Sequence, residues 1–382
     1  MSDAFVPLSE PNLPGNTRKY LDECLDTNFV SSVGPFVERF EKEFAAYVGA
    51  KFAIACSSGT AALHVSMRLL GVEQGDEIAV PSLTFIASAN PILYEKAVPV
   101  LVDSEAESWN MDPVLVAEEI ERRAKSGKKQ LKAVEAVHII GHPAVMEPLV
   151  AACEKHGVAL LEDASEALGA RWTLGPYAGK HIGVVGKLGC YSFNGNKIIT
   201  TGGGGMITTD DPALAKRAKH LTTQARLPGP EYRHDEVGYN YRLTNLAAAL
   251  GVAQLEQLPA FIKKKHEIAK RYDEAFRDVP GIVLPPRAAW ADPTMWLYTI
   301  RLDAAKYGCD RRELLARLEK SKIQSRPIWS PLHGMPMYGS AQRLGSMKVA
   351  ERLFEEALSL PCSTSLKDAD QARVIDVVRR RG

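Results

Sequence analysis

A single lysine lies in an unusual setting in the segment YSFNGNKIITTGGGGM, residues 191–206. Lys197 follows a run from Cys190 to Phe193 that has the composition of a buried strand, and four consecutive glycines come after it. A lysine amine attacks a carbonyl group only when it is unprotonated, whereas its pKa in water is about 10.4. Because burial favours the neutral form, this setting is typical of a catalytic lysine that forms a Schiff base. A surface lysine in a glycine-rich turn is the alternative interpretation.

A turn with two hydroxyl groups, SSGTAAL at residues 57–63, follows the apolar run KFAIA. It places Ser58, Gly59 and Thr60 at the start of an alanine-rich helical pattern. Unpaired N–H groups at a helix N-terminus, together with the hydroxyls, suit a phosphate group. An ordinary strand-to-helix turn with a Ser or Thr N-cap would have the same residues.

Two carboxylates follow another apolar run in VALLEDASEALGA. Asp163 and Glu166 stand just beyond the end of a predicted buried strand, and ligands of open α/β sheets collect outside the carboxyl ends of strands. Alone, Asp163 could equally be a turn or N-cap residue.

The order of phosphate turn, strand-end aspartate and lysine matches what pyridoxal phosphate requires: an anion site, a carboxylate at the ring nitrogen and a Schiff-base lysine. We therefore predict a pyridoxal phosphate enzyme.

The elements that must position these residues form an α/β pattern. Short apolar runs separated by amphipathic segments predict a mainly parallel sheet. A long helical pattern runs from Leu243 to about Val279 and is interrupted only at Pro259. We predict a large domain over residues 1–250, a connecting helix over 251–280 and a C-terminal domain over 281–382.

The predicted C-terminal domain is α+β in character. Its order is a strand (MWLYTIRL), a helix (RRELLARLEKS), a strand (IQSRPIW), a helix (KVAERLFEEALS) and a last helix from Asp368.

Composition excludes several classes of function. The 382 residues include 47 Lys+Arg and 46 Asp+Glu, so no net field attracts nucleic acid. The six cysteines form no CxxC pair, which argues against a disulfide frame or zinc site. His138 and His142 end a predicted strand and should not converge on a metal, so we predict no metal site.

The N-terminal segment MSDAFVPLSEPNLPGN resembles no secretory signal and no run of about 18 apolar residues occurs, so we expect a cytoplasmic protein without a membrane span.

Five segments together resemble a known family over nearly the whole chain. SGTAAL, PSLTFIAS, LLEDASEALGA, YSFNGNKIITTGGGGM and GYNYRLTNLAAALGVAQLE are similar to the DegT/DnrJ/EryC1/StrS sugar aminotransferases. The resemblance implies a pyridoxal phosphate-dependent transferase of fold type I, the aspartate aminotransferase fold. Such a protein has a large, mainly parallel sheet of the seven-stranded type and a smaller α+β domain. It also implies a homodimer with shared active sites.

The resemblance also implies roles for individual residues. Lys197 would form the Schiff base, Asp163 would pair with the ring nitrogen and Phe85 would stack on the ring. The whole implied cofactor site is Ser58, Gly59, Thr60, Phe85, Asp163, Glu166, Ser192, Lys197 and, from a second subunit, Asn240. Glu166 departs from the pattern, because many members carry Gln or His there, near the cofactor's phenolic oxygen. A carboxylate at that place must be protonated or accept a proton, or it never touches the cofactor.

The substrate class is also suggested by resemblance. GNK, with QAR at 224–226 and RPIW at 326–329, is similar to the branch that aminates C4 of nucleotide-linked 4-keto-6-deoxy sugars. The nearest members belong to bacillosamine and legionaminic acid synthesis, which implies L-glutamate as donor and UDP-4-keto-6-deoxy-N-acetylglucosamine as acceptor. The product would be a 4-amino-4,6-dideoxy sugar for surface polysaccharide or glycan synthesis. A GDP-perosamine-type 4-aminotransferase and a 3-keto-sugar aminotransferase are the alternatives.

A diphosphate-bearing substrate leads us to expect cationic and polar residues at the cleft. The candidates are Asn194, Arg226, Arg233, Arg326 and His333. Each arginine could instead be a surface or ion-pairing residue, and a lone histidine is commonly packed.

Three other functions fit part of the pattern. Related dehydratases carry histidine in place of the Schiff-base lysine, so Lys197 argues against that reaction. A nicotinamide oxidoreductase would need a glycine fingerprint after the first strand, which is missing. A non-catalytic nucleotide-sugar binding module remains the alternative from another class.

Overall fold

The main sheet is built from short apolar strands that alternate with helices in the first two-thirds of the chain. The computed structural model describes residues 4–380; residues 1–3, which begin the segment MSDAFVPLSEPNLPGN, and 381–382 lie outside the described residues. The helices are α1 (Thr17–Asp26), α2 (Pro35–Val48), α3 (Gly59–Leu69), α4 (Ile86–Tyr94), α5 (Pro113–Ser126), α6 (Glu147–His156), α7 (Pro212–Thr222), α8 (Asn245–Phe276), α9 (Ala304–Tyr307), α10 (Arg311–Lys320), α11 (Lys348–Glu356) and α12 (Asp368–Arg379). The strands are β1 (Phe52–Cys56), β2 (Glu77–Pro81), β3 (Val98–Val102), β4 (Ala133–Val137), β5 (Ala159–Asp163), β6 (Arg171–Trp172), β7 (Leu188–Ser192), β8 (Gly205–Thr209), β9 (Ile282–Val283), β10 (Ala291–Asp292), β11 (Tyr298–Leu302), β12 (Arg326–Pro327), β13 (Gln342–Leu344) and β14 (Ala357–Leu360).

Eight of these strands form one mixed sheet in the order β1-β8-β7-β5-β4-β2-β3-β13. The strand β8 pairs antiparallel with both β1 and β7, whereas every pair from β7 to β13 is parallel. This arrangement confirms the predicted α/β fold with a large, mainly parallel sheet. The carboxyl ends of β1, β2, β5 and β7 therefore meet at one edge, where a ligand site is expected.

The C-terminal part contains a small antiparallel sheet in the order β12-β14-β11-β9. Its apolar side packs on helix α8 through Tyr272 and Phe276. The predicted helix KVAERLFEEALS is wrong at its end, because Glu356 closes α11 and the buried run from Ala357 pairs with β11. Of the predicted strand IQSRPIW, only β12 joins the sheet.

The long helix α8 runs unbroken through Pro259, so the predicted interruption there is wrong. Proline removes one backbone N–H and clashes with the preceding turn, which usually breaks a helix. Pro259 itself is exposed, while the flanking Leu258 and Phe261 are buried in the core, so tertiary packing holds the helix together across the proline.

Two contacts cross the predicted boundaries at residues 250 and 280. Val6 of the N-terminal arm exchanges backbone hydrogen bonds of 2.9 Å with Lys322 and Gln324 and packs in the C-terminal core. Conversely, β13 lies beside β3 in the main sheet. The division at 250 and 280 stays a prediction. By their contacts, however, the segment at Val6 belongs with the C-terminal domain and β13 belongs with the main sheet.

Helix length and polarity bear on membrane insertion. Among residues 4–380 no helix combines the length and the apolar character that a membrane span needs.

The side chains of the six cysteines and of His138 and His142 are buried. The cysteines are free thiols. His138 lies 3.0 Å from Glu162, and His142 instead interacts with the carbonyl of Pro143 at 2.8 Å. The two histidines therefore have separate partners. In the described part of the chain, a partly exposed group of other residues has ligand atoms close enough for a metal: His220, Asp235 and Glu236.

Candidate active site

A cavity of about 290 Å³ opens at the carboxyl edge of the main sheet. Most of its lining comes from turns that are distant in sequence and that follow β1, β2, β5 and β7. It brings together nine of the residues predicted from the sequence: Ser58, Gly59, Thr60, Phe85, Asp163, Glu166, Ser192, Asn194 and Lys197.

The turn between β1 and α3 presents unpaired donors to this cavity. Ser58 has extended backbone angles and its Oγ accepts the N–H of Ala61 at 3.0 Å, which makes it the N-cap. Within residues 4–380, the backbone N–H groups of Gly59 and Thr60 have no hydrogen-bond acceptor. A Cβ atom at Gly59 would lie 2.7 Å from the Cβ of Ser192, so only glycine lets the turn approach the end of β7 this closely. Free N–H groups at the positive end of a helix, beside hydroxyls, form a site for an anion.

The carboxylate of Asp163 is buried at the end of β5, with 3% of its surface exposed. One oxygen accepts the hydroxyl of Ser88 at 2.8 Å, and the other accepts the backbone N–H of Ser165 at 3.0 Å. Ser88 is itself within 2.9 Å of the Thr84 hydroxyl. In the described residues Asp163 forms no ion pair. A buried carboxylate with only neutral donors can still accept a cationic N–H group.

The amine of Lys197 reaches the same cavity from the turn after β7. Its Nζ lies 4.0 Å from the ring centroid of Trp296 and, in the part of the chain described, forms no ion pair. The side chain as a whole is half-buried, but the amine end is enclosed, and this burial lowers the pKa of Lys197. The negative charges of Glu166 and Asp163 oppose that effect. The result favours the neutral, nucleophilic form more than water does.

Glu166 lies beside this amine and is held by an unusual backbone. Its Oε2 accepts the N–H of Ile140 at 2.7 Å, and Ile140 has a φ of 56°, which is rare for a β-branched residue. Burial raises the pKa of Glu166, while the charge of Lys197 and the Ile140 hydrogen bond oppose the increase. The buried indole N–H of Trp329 lies near this carboxyl but outside hydrogen-bond geometry.

Two aromatic residues of the cavity were missed by sequence reasoning. Trp296 and Trp329 both line it, and the Trp329 ring lies 5.3 Å from that of Phe85. Phe85 is the N-cap of α4 and is 48% exposed. The tryptophans stand inside segments that read as strands, MWLYTIRL and IQSRPIW, so no local pattern connects them with the lysine.

Three smaller polar residues were also missed, namely Ser88, Ser165 and Asn196. Ser88 had a usable signal, because it follows Phe85 by three residues and a helix places such residues on one face.

Five other predicted residues do not line this cavity. Arg226 is exposed and stacks on Tyr232 at 4.4 Å, and Arg233 pairs with Glu231 at 2.6 Å. Asn240 is also exposed, in a bridge with Thr223. Within a single chain these three residues are not brought to the site.

The remaining two are Arg326 and His333. Arg326 lines an adjoining cavity of about 550 Å³ that shares Asn196 and Trp329 with the first. His333 is buried and packed, with Nδ1 2.7 Å from the Ser82 hydroxyl and Nε2 3.2 Å from Glu351. A substrate role for His333 therefore stays a prediction without a contact to the cavity.

The donor set fits pyridoxal phosphate. The free N–H groups of Gly59 and Thr60 match a phosphate, the unpaired carboxylate of Asp163 matches a protonated ring nitrogen, and the enclosed amine of Lys197 matches an aldehyde. Fold and cavity thus define the class of pyridoxal phosphate-dependent transferases.

Comparison with known proteins identifies the family. The chain belongs to the DegT/DnrJ/EryC1/StrS aminotransferase family, whose sequence profile matches residues 12–379. It is 41% identical to EpsN of Bacillus subtilis, named as a pyridoxal phosphate-dependent aminotransferase, over 98% of this chain and 95% of EpsN. It is 39% identical to the GDP-perosamine synthase of Caulobacter vibrioides, over 97% and 96% of the two chains. The crystal structure of the aminotransferase TlmJ from Streptoalloteichus hindustanus superimposes with a TM-score of 0.87 at 31% identity, over 98% of each chain. The protein is therefore a pyridoxal phosphate-dependent nucleotide-sugar aminotransferase.

Proposed function

We propose that this enzyme transfers the amino group of L-glutamate to the C4 ketone of a nucleotide-linked 4-keto-6-deoxy sugar. The observation that carries the proposal is the convergence of the Lys197 amine, the Asp163 carboxylate and the anion site at Gly59 on one cavity. Pyridoxal phosphate, when bound, supplies an aldehyde that carries the amino group and a ring that withdraws electrons from the reacting carbon.

The residues around the cavity have distinct proposed roles. Ser58, Gly59, Thr60 and Ser192 bind the phosphate, because backbone N–H groups and hydroxyls are its natural donors. Asp163 binds the protonated ring nitrogen, with its orientation set by Ser88.

Lys197 is the proposed catalytic acid and base. Its Nζ takes a proton from the carbon that loses it and returns a proton to the carbon that gains it, which requires a pKa nearer to neutrality than that of a free lysine. Burial lowers the pKa of Lys197 in that direction. Phe85 would stack on the cofactor ring, and the negative charge of Glu166 acts on the Lys197 amine and favours its ammonium form.

The adjoining cavity has room for the nucleotide end of a long substrate. It shares Asn196 and Trp329 with the first cavity and contains Arg326, so a sugar at Lys197 could extend its diphosphate towards a guanidinium. Asn194 is exposed at the cavity and is available to a sugar hydroxyl. From the sequence motifs we propose UDP-4-keto-6-deoxy-N-acetylglucosamine as the acceptor, with the amino sugar product entering surface polysaccharide or glycan synthesis.

A GDP-linked sugar is the second candidate acceptor. The observation in its favour is the likeness to three GDP-perosamine synthases at 37% to 39% identity. The test is a parallel incubation with ¹⁵N-glutamate and each 4-keto sugar or a 3-keto sugar, followed by mass spectrometry and NMR of the product. Nitrogen-15 at C4 of the UDP sugar supports the first acceptor, and at C4 of the GDP sugar the second. Labelling at C3 of a 3-keto sugar alone would contradict both.

We further propose a cytoplasmic homodimer in which Asn240 of each chain enters the site of the other. Asn240 is exposed, and the nearby loop carries exposed apolar side chains at Tyr232 and Val237. If Asn240 acts across the dimer, mixing inactive Lys197→Ala and Asn240→Ala chains should restore about a quarter of the wild-type activity, because half of the dimers then hold one intact site. No recovery in dimers shown to have exchanged subunits would contradict the shared site. A monomer by light scattering would contradict the dimer itself.

A further inference from the structure

The indole ring of Trp296 lies directly beside the amine of Lys197. It is 1% exposed, yet its ring faces the cavity, and the Lys197 Nζ lies 4.0 Å from the ring centroid. This distance is well within the range of about 6 Å over which an ammonium group is attracted to an indole face.

Trp296 is held at its ring and at its backbone. Its Nε1 donates to the backbone carbonyl of Asn196, the residue before Lys197, at 2.7 Å. The backbone carbonyl of Trp296 accepts the Nζ of Lys265 at 2.8 Å. Lys265 is 3% exposed on α8, and the same nitrogen donates to the carbonyl of Cys362 at 2.6 Å. The ring is therefore tied to the lysine turn, and the backbone that carries it is tied to the C-terminal core.

We propose that Trp296 is a positioning residue that holds the Lys197 amine over its indole face whenever that amine is free. The proposal rests on the proposed role of Lys197 as the amine that binds pyridoxal phosphate. The hydrogen bond to Asn196 fixes the indole ring relative to the turn that carries Lys197. The free amine therefore has one defined position, to which it returns after each proton transfer.

The contact between the indole and the amine affects the protonation of Lys197. The charged groups that act on the Lys197 amine are Glu166 and Asp163, which favour the ammonium form, whereas burial favours the neutral form. The negative face of the indole adds to the first effect. Removing the indole while both carboxylates remain should therefore lower the pKa of Lys197.

The experiment measures how fast cofactor-free protein captures added pyridoxal phosphate, from the growth of its visible absorption band between pH 6 and 10. Capture requires the neutral amine, so the pH of half-maximal rate reports the protonation of free Lys197. For Trp296→Leu we expect this midpoint to fall by about one pH unit, which corresponds to about 1.4 kcal/mol and lies within the range for an enclosed cation–π contact. Trp296→Phe should shift it less, because phenylalanine keeps part of the ring's negative face. Trp290→Phe, which changes a tryptophan outside this cavity, is the matched control and should leave it unchanged.

The outcomes separate this inference from the proposed function. If wild type captures no cofactor, or Lys197→Ala forms the same band, the proposed role of Lys197 is wrong. If wild type captures cofactor but Trp296→Leu and Trp296→Phe keep its midpoint or raise it, with circular dichroism showing an intact fold, Trp296 is only a packing residue and the inference is overturned.

Discussion

The two sides of the active-site cavity differ in how they are built. The side formed by the main sheet carries polar groups on short turns after β1, β5 and β7. Two of its hydrogen bonds are local, from the Ala61 N–H to Ser58 and from the Ser165 N–H to Asp163. The side formed by the C-terminal part carries Trp296 and Trp329, whose contacts join residues about a hundred or more positions apart. The first side carries the groups that we propose act on the reacting atoms, and the second encloses them and borders the larger adjoining cavity.

This difference implies that substitutions on the two sides should fail in different ways. Loss of a polar group on the sheet side should slow the chemical step, because those groups are proposed to act on the reacting atoms. Loss of an aromatic group on the C-terminal side should weaken binding or shift protonation while the chemistry continues.

The largest effect is expected for Asp163→Asn. The change keeps the size of the side chain and removes the charge proposed to hold the ring nitrogen protonated, so kcat should fall by roughly 10²- to 10³-fold. Steady-state kinetics with saturating cofactor would measure it. The matched control is Asp211→Asn, which alters an N-cap aspartate of α7 away from the cavity. A loss of less than tenfold for Asp163→Asn would erase the proposed distinction between the two sides.

The next largest effect is expected for Glu135→Leu, in the strand beside Asp163. Glu135 is fully buried, both of its oxygens lack a hydrogen-bond partner in residues 4–380, and burial raises its pKa well above the usual value, with the charge of Asp163 adding to the increase. The folded chain therefore keeps a proton that the unfolded chain releases above about pH 4.3. Stability is lost as the pH rises from that value towards the raised pKa, by up to about 1.4 kcal/mol per pH unit.

Leucine removes this penalty, so the stability advantage of Glu135→Leu should increase as the pH rises above about 4.3, by at most about 1.4 kcal/mol per pH unit. Denaturant unfolding at several pH values measures it, with Glu154→Leu on the surface helix α6 as control. An advantage that does not change with pH would mean that the Glu135 carboxyl has the same protonation in both states.

The smallest effect is expected for Trp329→Phe, on the C-terminal side. The indole borders both cavities and packs on Phe85, so its loss should raise the KM for the sugar about fivefold, on the order of 1 kcal/mol, and change kcat less than twofold. Initial rates over a range of sugar concentration would show the split. A fall in kcat at unchanged KM would place Trp329 with the chemical residues and contradict the comparison.

Much of the sheet side could be predicted from the sequence, because its signals are local. A buried strand that ends in Asp163, a glycine next to two hydroxyls at a helix start, and a lysine before a glycine run each lie within a few residues. The parallel sheet then brings the strand ends together, so the convergence follows from the fold class.

The C-terminal side could not be predicted in this way, because its residues meet only through tertiary packing. Trp296 reaches Lys197 through a hydrogen bond to Asn196. One contact of the sheet side also lacks a local signal, because Glu166 accepts the N–H of Ile140, whose left-handed conformation no propensity predicts. The helix predicted over KVAERLFEEALS ends early for a related reason, since strand pairing with β11 outweighs the local helical pattern.

The most direct test of the central claim is the visible absorption spectrum of the purified protein with pyridoxal phosphate, before and after L-glutamate, for wild type and Lys197→Ala. We predict a visible band in wild type that glutamate removes, and no such response in Lys197→Ala. A wild-type protein that stays colourless with added cofactor, or a variant that responds to glutamate as wild type does, would contradict Lys197 as the residue on which this site depends.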